Sequence, residues 1–189
     1  MLFRSVPATA ETVYRVGSVS KLFTDMAVMQ FVEQGKLDLD APVNRYLPEF
    51  APRNPFNAAI TLRQLMSHRS GLVREPPAGH YFDPVPPALI DVVKSLAGTT
   101  LVFEPGTRIK YSNAGIAVVG AVVERVSGEP FPKAVEHALL GPLGMSRSSF
   151  EPDAALTRQM ARTSKSRGDS SLGYSAKSQA RTCPRCRSL

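Results

Sequence analysis

The sequence predicts a mostly helical α/β (α+β) domain, on three observations. An apolar segment from Leu22 to Val32, opened by Gly17-Ser18-Val19-Ser20-Lys21 and closed at Gly35, has helical spacing. Leu22, Met26, Met29 and Glu33 share one stripe and Phe23, Ala27, Gln30 and Gln34 the next, so apolar side chains surround most of its first three turns and place it inside a domain. A second apolar segment, Ile116 to Val126 before Ser127-Gly128, reads as another buried helix. Extended character, by contrast, is confined to short runs around Val13 to Val16 and Leu101 to Phe103.

Composition bounds the rest. A chain of 189 residues with 43% hydrophobic content can build one globular domain with a real core, and it contains no run of 18 apolar residues that would span a membrane. Met1 to Glu11 lacks an apolar h-region, so no signal peptide is expected in the chain as given. The net charge of +7 suggests a nucleic-acid partner until it is located. Residues 1–157 carry 15 Lys and Arg against 15 Asp and Glu, whereas 158–189 carry eight basic residues and only Asp169. The body, residues 1–160, is the expected domain, and the Ser-, Arg- and Lys-rich stretch 161–189 is expected to be a disordered basic tail. Without aromatic interleaving or a folded nucleic-acid module, that tail is not read as a nucleic-acid binder. Cys183 and Cys186 have a spacing that can serve zinc or a small disulfide. His68, His80 and His137 are scattered, however, and no four-ligand set forms, so neither a metal nor another cofactor is expected.

In chain order, the weak alternation of Glu11 to Val16 suits a short strand feeding the Ser18 helix. Leu37 to Phe50, interrupted by Pro42 and Pro48, suits a packed connector with short helical turns. Thr61 is placed to cap a short helix through Leu62, Leu65 and Met66, ending in Ser67-His68-Arg69-Ser70-Gly71. Arg74 to Pro87, with five prolines, is a surface loop. A helix from about Pro87 to Leu96 follows, then Leu101-Val102-Phe103, the turn Glu104-Pro105-Gly106-Thr107, and Tyr111-Ser112-Asn113 before the second long helix. A further helix, about Phe131 to Leu140, stops at Gly141-Pro142.

Two clusters in this order carry chemistry. Ser18 and Lys21 stand three residues apart at a helix start, so hydroxyl and amine can meet. A serine hydroxyl is a poor nucleophile until a neighbour takes its proton. Lysine can do so only when neutral, and burial and a helix N-terminus both disfavour the ammonium. The same residues also suit a plain N-cap followed by a solvated lysine. In an extended segment Tyr111 and Asn113 share a side and can face one cleft, while Ser112 points elsewhere. The alternative is an asparagine capping the helix that starts near Ala114, with Tyr111 packed on the core. His68 is read as a loop-organising residue rather than a catalytic one, because a lone His after a helix usually satisfies backbone groups.

Taken together, Ser18-x-x-Lys21, Tyr111-x-Asn113, and the stretches Tyr14 to Lys21, Gly35 to Phe50, Leu65 to Leu72, Phe103 to Asn113, Val122 to Gly128 and Gly141 to Met145 resemble the serine β-lactamase and penicillin-binding protein superfamily. They are closest to its β-lactamase-related hydrolases. The resemblance implies a β-lactamase/transpeptidase-like fold and hydrolysis of a small-molecule amide, ester or β-lactam through an acyl-enzyme. It makes Ser18 the nucleophile, Lys21 its proton partner, Tyr111 the shuttle to the leaving atom and Asn113 a substrate-amide contact. The Ser18 backbone N–H would form half of an oxyanion hole. The family's third motif, Lys or His followed by Thr or Ser and Gly on a strand after the second motif, has no match. Arg69-Ser70-Gly71 precedes Tyr111 and ends a helix, and Val126-Ser127-Gly128 lacks the cation. The resemblance therefore implies mostly the helical region with an incomplete antiparallel sheet, in a truncated chain. It also leaves a competing expectation, a catalytically inactive or ligand-binding remnant.

Overall fold

A computed structural model describes residues 9–80, 83 and 86–161. The expected disordered tail, and with it Cys183 and Cys186, falls outside the described residues. Six α-helices are described: α1 (Ser20–Glu33), α2 (Leu62–Met66), α3 (Leu89–Ser95), α4 (Asn113–Ser127), α5 (Phe131–Val135) and α6 (Ala154–Gln159). A 3-10 turn, Gly17–Val19, leads into α1, and a π-helical turn, Glu136–Leu140, continues α5.

The physical centre is α4, on which α1, α2, α3 and α5 all pack. Its sequence explains why. Ala, Gly and Val dominate it, so neighbouring backbones approach closely, and Val118, Val119, Val122 and Val123 have no exposed surface at all. Gly120 shows the tightness: a Cβ there would meet Leu89 at 3.5 Å and the Phe131 ring at 3.6 Å. Ser112 caps the helix by accepting the Gly115 N–H at 2.8 Å, and Gly128, at φ +73°, ends it in the left-handed conformation glycine adopts freely. The cap is thus Ser112 and not Asn113, which is the first helical residue.

Helix α1 buries Thr24, Ala27, Val28 and Phe31 against this core. Helical spacing alone places it inside a domain, whereas an incomplete sheet leaves its apolar face uncovered, and Val19, Leu22, Met26 and Met29 on its other side are 54, 59, 38 and 41% exposed. Spacings of three and four residues put these four in one continuous apolar stripe. The short helix α2 begins in a reciprocal capping box, Thr61 accepting from the Gln64 N–H while the Gln64 side chain accepts from the Thr61 N–H. Helix α6 was not expected from the sequence; Asp153 caps it by accepting the Leu156 N–H at 2.8 Å.

The expected strand over Glu11 to Val16 does not form. Among the described residues there are no strands, only three isolated bridges, Val13 with Met160, Pro42 with Thr61 and Arg53 with Thr100. A strand needs a partner along several residues, and Val13 has one for a single pair. No helix among the described residues is long and apolar enough to cross a membrane.

Candidate active site

Gly17 takes φ +54°, and the 3-10 turn that follows carries Ser18 on the protein surface immediately before α1. Ser20 secures that turn by donating its hydroxyl to the Gly17 carbonyl at 2.8 Å. One turn on, the Lys21 Nζ donates to the Ser18 Oγ at 3.2 Å. The Tyr111 hydroxyl reaches the same oxygen from the other side, at 2.5 Å. Two proton-handling groups, one from three residues along the chain and one from 93, therefore converge on one serine oxygen. The Lys21 Nζ also lies 4.9 Å from the Tyr111 ring centroid, and the Arg74 guanidinium is 5.3 Å from the same centroid.

Tyr111 is held by the loop after α2. Residues 68–75 run alongside the segment before α4: the His68 carbonyl accepts the Lys110 N–H at 2.8 Å, and the Val73 carbonyl accepts the Ser112 hydroxyl at 2.7 Å. The Arg74 carbonyl accepts the Asn113 N–H at 2.8 Å. Upstream, the Arg69 and Gly71 carbonyls accept the Gly106 and Val102 N–H groups, each at 2.8 Å. The loop is a brace, fixing both the turn after Phe103 and the start of α4.

Asn113 lies deeper than expected, 6% exposed, with its Nδ2 donating to the Glu75 Oε1 at 2.7 Å. Ser18, Lys21 and Tyr111 thus meet directly, while the Asn113 amide is bonded to a carboxylate instead of standing open beside them. Glu75 itself was not singled out from the sequence, and nothing in its surroundings there marks it. Its other oxygen, Oε2, is buried without a hydrogen-bond partner. Arg69-Ser70-Gly71 is no substitute for the missing third motif, since Ser70 is 1% exposed and its Oγ accepts the nearby Leu72 N–H at 3.4 Å. Among the described residues no group of three His, Cys, Asp or Glu side chains could hold a metal ion.

One turn beyond Lys21, Asp25 has Oδ1 buried without a partner. Burial pushes its carboxyl up to about 6, against the opposing pull of the Lys21 charge. A carboxyl raised in the folded state binds a proton that the unfolded chain has released between about pH 4 and pH 6, so its contribution to stability falls as pH rises through that window. Asp25→Asn is expected to stabilise the protein by about 1 kcal/mol near pH 8, after discounting for solvent screening at a partly exposed site, and to have little effect near pH 4. Thermal melts of both proteins at the two pH values check this; an equal difference at both would refute it.

Comparison with known proteins adds a second line of evidence. The sequence model of the family described as "Beta-lactamase" matches residues 1–180. Esterase EstB of Burkholderia gladioli is 37% identical over 158 residues, covering 76% of this chain and 40% of the esterase. Among solved structures, EstCE1, described as a hydrolase with promiscuous acyltransferase activity, is 34% identical with a TM-score of 0.72, over 84% of this chain and 45% of its own. The beta-lactamase/D-alanine carboxypeptidase of Yersinia pestis matches with a TM-score of 0.75 over 95% of this chain and 50% of its own. At 21% identity that match speaks for the fold alone. The chain therefore spans half or less of the length of these relatives.

Proposed function

The chain belongs to the beta-lactamase family, and from that premise we propose that Ser18 is the acylated nucleophile of a serine hydrolase acting on carboxylic esters. One observation carries the reading: the Ser18 Oγ is approached at 3.2 Å by the Lys21 Nζ and at 2.5 Å by the Tyr111 hydroxyl. In the proposed reaction a neutral Lys21 takes the serine proton as Oγ attacks the ester carbonyl carbon. The carbonyl oxygen becomes an oxyanion, stabilised by the Ser18 backbone N–H, and collapse of the tetrahedral intermediate expels the alkoxide. Tyr111 passes a proton to that leaving oxygen and recovers one from Lys21; water then attacks the acyl carbon, the carbon–Oγ bond breaks to release the carboxylic acid, and Oγ takes up a proton from that water. The names borne by the 37% and 34% identical relatives, esterase and hydrolase, favour this chemistry over an inactive remnant and an ester over a β-lactam or D-alanyl amide.

Asn113, bound to Glu75, is assigned the substrate-facing role through its Oδ1, which can accept a donor group carried on the acyl part of the ester while Nδ2 stays on the carboxylate. The antiparallel sheet implied by the family belongs to the same proposal. Its support is the uncovered apolar stripe Val19, Leu22, Met26 and Met29 on the helix that carries Lys21. No part of the reaction requires a metal or cofactor.

The test is covalent. The purified chain is incubated with p-nitrophenyl acetate, and peptide mass spectrometry is used to locate the acyl group. The expected result is one acetyl group on the peptide containing Ser18, with none in Ser18→Ala. Nitrocefin run in parallel decides between ester and β-lactam. Equal labelling of wild type and Ser18→Ala would overturn the proposal.

A further inference from the structure

We propose that His68 is the positioning residue that holds Tyr111 against Ser18, and that it does so only as the neutral imidazole. The inference rests on Ser18 being the acylated group, but it comes from contacts that this chemistry does not use. Residue 68 grips Tyr111 from both sides along the chain. Its carbonyl accepts the Lys110 N–H at 2.8 Å, and its ring Nδ1 accepts the Ser112 N–H at 3.3 Å. Its ring also lies against the tyrosine ring, centroids 4.5 Å apart at 42°. Backbone on either side of Tyr111, and the ring itself, are thus anchored to one residue.

The conformation that allows this grip is uncommon. His68 has φ +59°, one of two non-glycine residues among those described with positive φ. The residue sits where α2 ends, its own N–H donating to the Leu65 carbonyl at 3.1 Å and the next N–H, of Arg69, to the Gln64 carbonyl at 2.6 Å. The left-handed turn swings the ring out of the helix line and toward Tyr111. It costs backbone energy that a residue with only a loop-closing role would not need to carry when glycine is available.

The protonation state follows from the donor. An Nδ1 that accepts the Ser112 N–H must be unprotonated, which places the neutral ring's proton on Nε2. An imidazolium would turn Nδ1 into a second donor facing the first. The charged groups around the ring oppose that state further. Lys21 on α1 and Arg74 on the brace both lie over the Tyr111 ring, Arg69 and Lys110 flank the contact along the chain, and the carboxylate of the brace, Glu75, is held by Asn113 and Arg74. Burial first and the Lys21 charge second push the His68 pKa below its ordinary value. For a group lowered in this way, the native contact is fully present above about pH 6.5 and is lost as pH falls through the depressed folded value.

Two measurements test the assignment. In an NMR titration of the full chain, the Ser112 amide and the Tyr111 ring signals are expected to move with the protonation of the His68 ring. Their indifference to it would overturn the proposal, whether or not Ser18 reacts. The second measurement is acetylation of Ser18 as a function of pH in His68→Asn and His68→Gly, both of which tolerate positive φ. The asparagine oxygen can still accept the Ser112 N–H but does not titrate, so near-neutral labelling should stay within about fivefold of wild type while the acid-side decline at the His68 pKa disappears. Glycine keeps the turn and loses the grip, with an expected loss of about tenfold or more from misplacing Tyr111. An unchanged rate in His68→Gly, or an unchanged acid limb in His68→Asn, would refute the role. Failure of the wild type to label at Ser18 would count against the hydrolase reading instead, and the titration would still decide the role of His68.

Discussion

Lys21→Met is expected to slow acetylation of Ser18 by p-nitrophenyl acetate by roughly 10² to 10⁴, the range that general-base assistance supplies. The amine reaches the Ser18 oxygen from the first turn of α1, 3.2 Å away, and methionine fills similar space with nothing that can accept a proton. Tyr111→Phe separates the two partners. The phenol is closer, at 2.5 Å, and either oxygen of that pair can be the donor, so the distance alone does not assign its task. The leaving group does. A p-nitrophenolate departs as a stable anion and needs no proton, whereas an alkyl alkoxide does. If Tyr111 supplies that proton, Tyr111→Phe should cost about tenfold with p-nitrophenyl acetate and a further tenfold or more with an alkyl acetate run beside it. Lys21→Met should affect both alike. Equal losses from Tyr111→Phe with both esters would make Tyr111 the base at Ser18 and move Lys21 to an electrostatic role. These rates come from single-turnover labelling, followed by mass spectrometry, on variants whose far-ultraviolet circular dichroism matches wild type.

The parts of this arrangement legible in sequence were those in which cause and effect lie within one turn of helix. Thr61 announces the start of α2, Gly35 and Gly128 the ends of α1 and α4, and Ser18 and Lys21 their own proximity. Where the deciding partner is remote, local pattern gave way. Ser112 and Asn113 are both good capping types, and the choice between them was made elsewhere: Val73 takes the serine hydroxyl and Glu75 takes the asparagine amide. Alternation around Val13 suits a strand, but among the described residues it pairs with Met160 alone, near the far end of the described chain, and a single bridge results. His68 looked like a loop organiser, and its contact with the Ser112 N–H is of that kind. Its packing on Tyr111 crosses from one loop to another and has no local signature. Spacing alone also makes α1 and α4 alike buried helices, and only tertiary packing tells them apart. Helix α4 is the one surrounded, because its small residues admit four neighbours, while α1 keeps an apolar stripe exposed.

The brace between α2 and Tyr111 makes the last expected effect the largest for stability. Gly71 has φ +78°, and a Cβ built on it would fall 2.2 Å from the Phe103 carbonyl oxygen, well inside any contact a real Cβ makes. Nothing flexible is available to yield, since the obstacle is backbone. The Gly71 carbonyl accepts the Val102 N–H at 2.8 Å, so the two strands of chain are tied together at the point where the methyl would enter. Gly71→Ala therefore combines a left-handed penalty of about 1 to 2 kcal/mol with forced separation of the two segments, and a total loss of about 3 kcal/mol or more is expected. The displacement would also reach the site. The same loop holds Lys110, Ser112 and Asn113 through His68, Val73 and Arg74, and Tyr111 rides on those bonds. At temperatures where the variant remains folded, its Ser18 labelling should fall by at least about tenfold, because a shift of about 1 Å in a positioned group costs that much or more. Urea unfolding and labelling kinetics on one preparation measure the two losses. Wild-type stability in Gly71→Ala would show that residues 71 and 103 do not approach as closely as the fold requires.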